Sequence, residues 1–298
     1  MVSPRPAQTF VDIHHRAEVL AATLPPLLVA ANRVASTVSQ GVHGRRRVGQ
    51  GETFWQFRRY EPGDSTSRID WRQSAKSQPV YIRETEWEAA QSVWLWRDAS
   101  PSMDYASGPN RPTKLARADL LLLALAVLLV RGGERVAVLG TGHRPTAGRA
   151  VLNRIAGELE EGRPATASLP VVEPLPRYAR IVLIGDFLSP LEDVKATIGA
   201  FEGLGVRGHL MQVLDPAEET LPFAGRVLFD GLEDEGHVLI GRVDVITREY
   251  QEVIAAHNRG LAALARSAGW SFAAHRTDRP PEAALLALYL KLSQPTGR

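Results

Sequence analysis

The chain has no cysteine. That excludes disulfides, thiolate metal centres and a cysteine nucleophile, and it fits a reducing compartment. It also has no long hydrophobic run. The longest uninterrupted apolar stretch, Leu120–Val130, falls well short of the roughly 20 residues a bilayer-spanning helix needs. It reads as a buried helix packed on a sheet. Met1–Thr9 carries no apolar signal-peptide segment, so a soluble cytoplasmic protein is the expectation. An excess of one charge is missing too. The net charge is only +2, too little for the chain as a whole to act as an electrostatic nucleic-acid binder. The histidines are scattered without His-x-x-x-His spacing. There is no Gly-x-Ser-x-Gly elbow, P-loop, His-Glu-x-x-His or Asp-x-Asp pair, so the common hydrolase chemistries lack their parts.

What is present is enough apolar residue for a full-sized core. Of 298 residues, 44% are hydrophobic, which suits one large α/β domain with a smaller attachment. Composition divides the chain at residues 1–50, 51–91 and 92–298. The first region holds a helical stretch, Arg16–Val38, which Pro25-Pro26 must break or kink. With little basic charge on a polar face, this stretch packs on the main domain and does not lie on a membrane. A Gly- and Arg-rich loop, Gly41–Gly51, follows. Arg45, Arg46 and Arg47 form a basic cluster there. As phosphate contacts, with Trp55 and Phe57 as stacking platforms, they make a nucleic-acid-binding module an alternative reading. A solvated basic loop is the reading preferred.

Residues 51–91 are dense in aromatic and charged side chains. Phe54–Tyr60 and Val80–Arg83 are β-prone, and Pro62-Gly63 suits the centre of a tight turn. Arg58, Asp64, Arg68, Asp70 and Arg72 are expected to form an ion-pair network. Trp55, Trp71 and Trp87 are expected to pack the block against the larger domain. From Gln91 on, strands and helices alternate. The strands are Val93–Arg97, Arg135–Leu139, Arg180–Ile184, Gly208–Leu214 and Trp270–His275. The helices are Leu115–Arg131, Ala150–Glu160, Leu191–Leu204, Val245–Ala268 and Glu282–Leu292, and a hairpin falls within Val227–Leu239. On the helical face of Val245–Ala268, His257 reads as a packed residue. Alternation of this kind predicts a mostly parallel sheet with helices on both faces.

The first of these strands ends at Asp98-Ala99-Ser100-Pro101-Ser102. One carboxylate and two hydroxyls at alternate positions are the oxygen ligands a hard divalent cation takes. The carboxyl end of a strand in an open α/β sheet is where ligands bind. The competing reading is a serine-rich turn that bonds nearby backbone. Arg97 beside Asp98 would compete with a metal for the carboxylate.

Asp98, Ser100 and Ser102, followed by alternating strands and helices, resemble the metal-ion-dependent adhesion site of the von Willebrand factor A domain. The Ile181–Phe187 segment supplies the second acid, Asp186, that this resemblance expects after a fourth strand. The family's middle-loop threonine has Thr166 as its nearest candidate, with Thr141 and Thr146 behind it. A narrower resemblance covers nearly the whole chain. Gly49–Phe54, Arg58–Asp64, Ile69–Ala75 and Arg83-Glu84 are similar to the block that precedes an A-like domain in the family called domain of unknown function 58. The resemblance implies an α/β, von Willebrand factor A-like (Rossmann-like) fold with an N-terminal helical and β-rich attachment. It implies a bacterial, non-catalytic partner or adaptor of a MoxR-type AAA+ ATPase in protein or complex maturation. Mg²⁺ or Mn²⁺, held by Asp98, Ser100, Ser102, Asp186 and Thr166, would dock a partner's acidic group. A metal-dependent hydrolase using Asp98 and Asp186 is the enzymatic alternative.

Overall fold

The computed structural model describes residues 26–42, 54–60, 69–76, 79–85, 92–161, 167–232 and 236–292. In chain order, α1 is Pro26–Val42, β1 Phe54–Arg59, α2 Trp71–Ser74 and β2 Tyr81–Thr85. There follow β3 Ser92–Arg97, α3 Lys114–Arg131, β4 Arg135–Val138 and α4 Arg149–Glu160. Next are β5 Arg180–Gly185, α5 Leu191–Gly203, β6 Arg207–Leu214 and α6 Pro216–Thr220. The chain ends with β7 Val227–Asp230, β8 His237–Ile240, α7 Val243–Ser267, β9 Ser271–Arg276 and α8 Pro281–Leu292.

The core is a five-stranded, wholly parallel sheet in the order β4-β3-β5-β6-β9. Numbered within the sheet, the order is 2-1-3-4-5, so the direction of winding reverses between β3 and β5. Such a switch point opens a crevice at the carboxyl ends of its two strands. The expectation that Val93–Arg97 and Arg180–Ile184 lie side by side and parallel is met, with Trp94 opposite Ile181 and Trp96 opposite Leu183. Among the described residues β5 is the third strand of this sheet, so Asp186 follows a third strand and not a fourth. The segment before it, with Pro170, Pro174 and Pro176, forms no helix over residues 167–179, because prolines remove the donors a helix needs.

Strand alternation divides the apolar side chains between two layers. Val93, Leu95, Val182 and Ile184 face the layer of α1, α3, α4 and α8. Trp94, Ile181, Leu183 and Leu210 face the layer of α5 and α7. Helix α3 is buried at every position from Leu121 to Leu129, as a helix apolar all round must be. The covering helix α1 presents Ala31, Val34, Ala35 and Val38, one face at 3.6 spacing. It begins at Pro26, an N-terminal position that suits proline. It runs to Val42, one residue past the expected start of the loop. No helix among the described residues is long and apolar enough to cross a membrane.

Strands β1 and β2 pair antiparallel, with α2 between them. Trp71 does not brace this unit: its side chain is 67% exposed. It opens the short helix α2, where the turn-forming hydrogen bonds come from Asp70 and Ser74. Trp87, Asp64, Arg68 and the Pro62-Gly63 turn lie outside the described residues.

Candidate functional site

Three strands of the sheet end in aspartates at its carboxyl edge. Asp98 follows β3, Asp186 follows β5 and Asp215 follows β6; all three are buried. The β3 turn is tied to its neighbour by the Asp98 N–H, which donates to the Ile184 carbonyl at 2.8 Å. Asp98 Oδ1 accepts from the Ser100 N–H at 2.8 Å, and the next residues form a single 3₁₀ turn, Pro101–Met103. That turn points Ser102 at β5. Its hydroxyl donates to Asp186 Oδ2 at 2.8 Å and lies 3.1 Å from the Ser100 hydroxyl. The switch point is tight here. A Cβ placed on Gly185 would lie 2.9 Å from Asp98 Cβ, so only glycine lets the two strand ends approach.

The Asp186 backbone is held from the other face of the sheet. Gln212 on β6 donates to the Asp186 carbonyl at 3.0 Å and to Asn258 Oδ1 at 3.0 Å. His257 Nε2 donates to the carbonyl of Phe187 at 2.7 Å. Phe187 is buried with φ of 50°, a left-handed conformation that costs a non-glycine residue energy. His257 is thus a packed residue, as expected, and it fixes the loop that carries Asp186.

Lys114, the first residue of α3, brings a cation into this cluster, and the sequence reading missed it. Its ammonium is fully buried and lies 2.8 Å from Asp186 Oδ2 and 2.5 Å from Glu218 Oε1. Burial alone would lower the pKa of Lys114. Asp186 and Glu218 outweigh it, and the value is raised, so the ammonium stays charged. Burial pushes the Glu218 carboxyl up, and the attraction of Lys114 only partly offsets this. Glu218 is placed by a capping box at the start of α6: Asp215 N–H donates to Glu218 Oε2 at 2.8 Å, and Ala217 N–H donates to Asp215 Oδ1 at 2.8 Å. Burial pushes Asp215 upward, but hydrogen bonds from Ser107 and Ala217 prevail and hold its pKa low. Asp215-Pro216-Ala217-Glu218 directly after a strand is a legible capping signature. Lys114 announced itself only as a lysine in a first helical turn, where the helix dipole disfavours it.

Asp98, Ser100, Ser102 and Asp186 are therefore brought together at one place, the arrangement the resemblance implied. Thr166, like Arg45, Arg46 and Arg47, lies outside the described residues. Of the other threonines, Thr141 donates to the Val138 carbonyl at 2.8 Å and Thr146 bridges to Val136; neither hydroxyl joins the cluster. Arg97 does not compete for Asp98. Alternation turns it to the helical layer, where its Nε pairs with Asp119 at 2.7 Å. Asp186 Oδ1 accepts from the Leu188 N–H at 3.2 Å, and Oδ2 takes both the Ser102 hydroxyl and the ammonium. The donor set as built thus fits a tethered ammonium on Asp186, and a divalent ion would have to displace it. No cluster of three or more metal-ligating His, Cys, Asp or Glu side chains occurs among the described residues.

Beside the cluster opens a cleft of about 850 Å³. Its floor includes Ser102, Asp186 and Glu218, and its outer wall is the antiparallel β7–β8 hairpin with Phe229 and Ile240. Ile246 and Tyr250 of α7 form the far side, and the Tyr250 hydroxyl donates to the Glu218 carbonyl at 2.7 Å.

A parallel α/β fold with a serine–carboxylate cluster at its switch point defines the class of protein. Within that class, the chain belongs to the family described as Protein of unknown function DUF58, whose model matches residues 56–260. It is 27% identical over 284 residues to uncharacterized proteins of Mycobacterium tuberculosis and Mycobacterium bovis, covering 87% of this chain and 86% of each relative. Two solved structures are similar at 16% identity, each covering 68% of this chain and 98% of the other. One is an aerotolerance-related membrane protein from Bacteroides fragilis, with a TM-score of 0.42. The other is the conserved hypothetical protein BatB from Bacteroides thetaiotaomicron, with a TM-score of 0.38.

Proposed function

We propose that this chain is a non-catalytic protein-interaction module, a partner or adaptor of a MoxR-type AAA+ ATPase in protein or complex maturation, and that it docks through the carboxyl end of its sheet. The observation that carries this reading is the Lys114 ammonium buried between Asp186 and Glu218. A general base or a nucleophile needs a free lone pair within reach of a substrate. Here Asp186 is bound on both oxygens and Glu218 caps a helix with one oxygen while it holds the ammonium with the other. These carboxylates hold the site together, and the open feature is the cleft next to them. The engagement of Asp186 weighs against a metal-dependent hydrolase using Asp98 and Asp186.

Docking through Mg²⁺ or Mn²⁺ at Asp98, Ser100, Ser102 and Asp186 is a further form of the proposal. It requires the ion to take Asp186 from Lys114, so no step of docking is routed through a metal here. The test is biolayer interferometry of the purified chain against a nucleotide-free MoxR-type ATPase from the same host. Wild type is expected to bind equally with and without EDTA. Leu232→Glu, at the exposed mouth of the cleft, is expected to weaken binding at least tenfold. Absence of binding by wild type would overturn the reading, and loss in EDTA alone would restore the metal-dependent form.

A further inference from the structure

The cleft has a chemical character of its own. Its walls are apolar, with Leu188, Phe223, Phe229, Leu232, Ile240 and Ile246 around one opening. Its ionisable side chains other than tyrosines are all acids: Asp186 and Glu218 on the floor, and Asp193 and Asp230 exposed at the rim. No lysine or arginine lines it among the described residues. Lys114 is enclosed beneath the floor, where two carboxylates share its charge. The field at the mouth is therefore negative, and a low-dielectric wall focuses it.

The hairpin that forms the outer wall is under-buried. Leu228 and Leu239 face each other across the strands on the outer side and are 58% and 51% exposed. Val238 and Leu232 are exposed as well. Two strands alone are marginal in water, and exposed apolar side chains on both faces of such a hairpin leave surface for a partner to cover.

We infer that the cleft receives a segment of a partner protein that carries an apolar side chain next to a lysine or arginine. The apolar group would enter between Phe229 and Ile246, while the cation would reach Asp193 and Asp230 at the rim. This deepens the docking reading above and rests on it. An acidic partner group, the occupant expected from the sequence, meets only like charge at this mouth. The volume also exceeds what a single side chain fills, so the cleft has room for a short stretch of chain.

The test uses three fluorescein-labelled dodecamer peptides on the full chain, read by fluorescence anisotropy: leucine alternating with arginine, leucine alternating with glutamate, and serine alternating with arginine. The leucine–arginine peptide is expected to bind at least tenfold more tightly than either of the others. Phe229→Ser should abolish that binding. Because Phe229 packs edge-on against Phe223, that variant could also unfold the hairpin. The double variant Asp193→Asn/Asp230→Asn alters only exposed side chains; it should lower affinity about fivefold and flatten the salt dependence. Equal or tighter binding of the leucine–glutamate peptide would overturn the inference. So would binding of the leucine–arginine peptide that neither variant changes. Concentration-dependent dimerisation lost in Phe229→Ser would assign the cleft to a second copy and equally overturn it. The ATPase binding assay on the same variants separates the two proposals. If the ATPase binds wild type and the peptides do not discriminate, only the occupant's chemistry is wrong.

Discussion

Lys114 decides the character of the site through one side chain. A buried ammonium is tolerated only when its hydrogen bonds and charge are met, and here Asp186 and Glu218 meet them. Removing it should leave two carboxylates facing each other in a dry pocket. Lys114→Met is expected to destabilise the fold by about 3–5 kcal/mol, the usual cost of breaking one side of a buried pair. It should also create a cation site where none is open in wild type. Thermal denaturation with and without millimolar Mg²⁺ or Mn²⁺ reads both effects. Wild type should be unmoved by the metal, and the variant should regain several degrees. A wild-type melting temperature that rises with Mg²⁺ would show that the ion and the ammonium share the cluster. Gly185 sets the other constraint. Its missing Cβ is what lets Asp98 sit against β5, so Gly185→Ala should cost about 1–3 kcal/mol as overpacking and should weaken docking. A variant as stable as wild type would mean that the turn after β3 moves aside freely.

At the scale of elements, hydrophobic periodicity made the architecture readable. Apolar runs such as Val93-Trp94-Leu95-Trp96 and helical periodicity placed every strand of the parallel sheet and the helices α3, α4, α5, α7 and α8 within a residue or two, whereas α1 runs four residues past its expected end at Val38 and the short α6 was missed. Asp98, Ser100, Ser102 and Asp186 were legible because the ends of parallel strands are where such groups gather. Asp215 and Glu218 offered only a helix-capping signature, and their meeting with Lys114 was not legible, because it depends on α3 and α6 converging over the sheet edge, 104 residues apart for Lys114 and Glu218. Trp71 was misread because an aromatic in a charged block says nothing about which way it faces. Another element contact has a pH signature. Arg117 on α3 donates to the carbonyls of Thr277 and Arg279 beyond β9, and its NH1 lies 3.2 Å from His275 Nε2. Burial, then the neighbouring guanidinium, lowers the His275 pKa to about 4, against the opposing pull of Asp278. The native imidazole is neutral while the unfolded one protonates near 6.5, so this stabilisation is complete above that pH. It is lost as pH falls from 6.5 towards 4, by as much as about 3 kcal/mol. Urea denaturation across this range should show His275→Gln losing less stability on acidification than wild type. Parallel pH profiles would mean that His275 titrates normally.

On the scale of the whole molecule, the two faces of the sheet are closed by different parts of the chain. The α5–α7 face belongs mostly to the span matched by the family model, residues 56–260, with only the end of α7 at Leu261 and Ala265, and Trp270, beyond it. The opposite face does not, because α1 and α8 complete the layer over α3 and both lie outside that span. Helix α3 carries Lys114 at its first turn, so the burial of the serine–carboxylate cluster depends on a layer sealed by the two ends of the described chain. The hairpin of β1 and β2 stands in contrast, since its neighbour Trp71 is largely solvent-exposed. Two substitutions separate these roles. Ala35→Asp puts a carboxylate at a fully buried position of α1 and should cost about 3 kcal/mol or more, because no partner there meets the charge. Trp71→Ala should change stability by no more than about 0.5 kcal/mol, as exposed positions do. Differential scanning calorimetry checks both, with ATPase binding measured below the transition. The expected pattern is a lowered melting temperature with intact binding for Ala35→Asp. An unchanged melting temperature for Ala35→Asp would mean that α1 does not seal α3. For Trp71→Ala the melting temperature should hold, and a loss of binding at constant stability would place the β1–β2 block in the interface, with Trp71 as its exposed aromatic anchor.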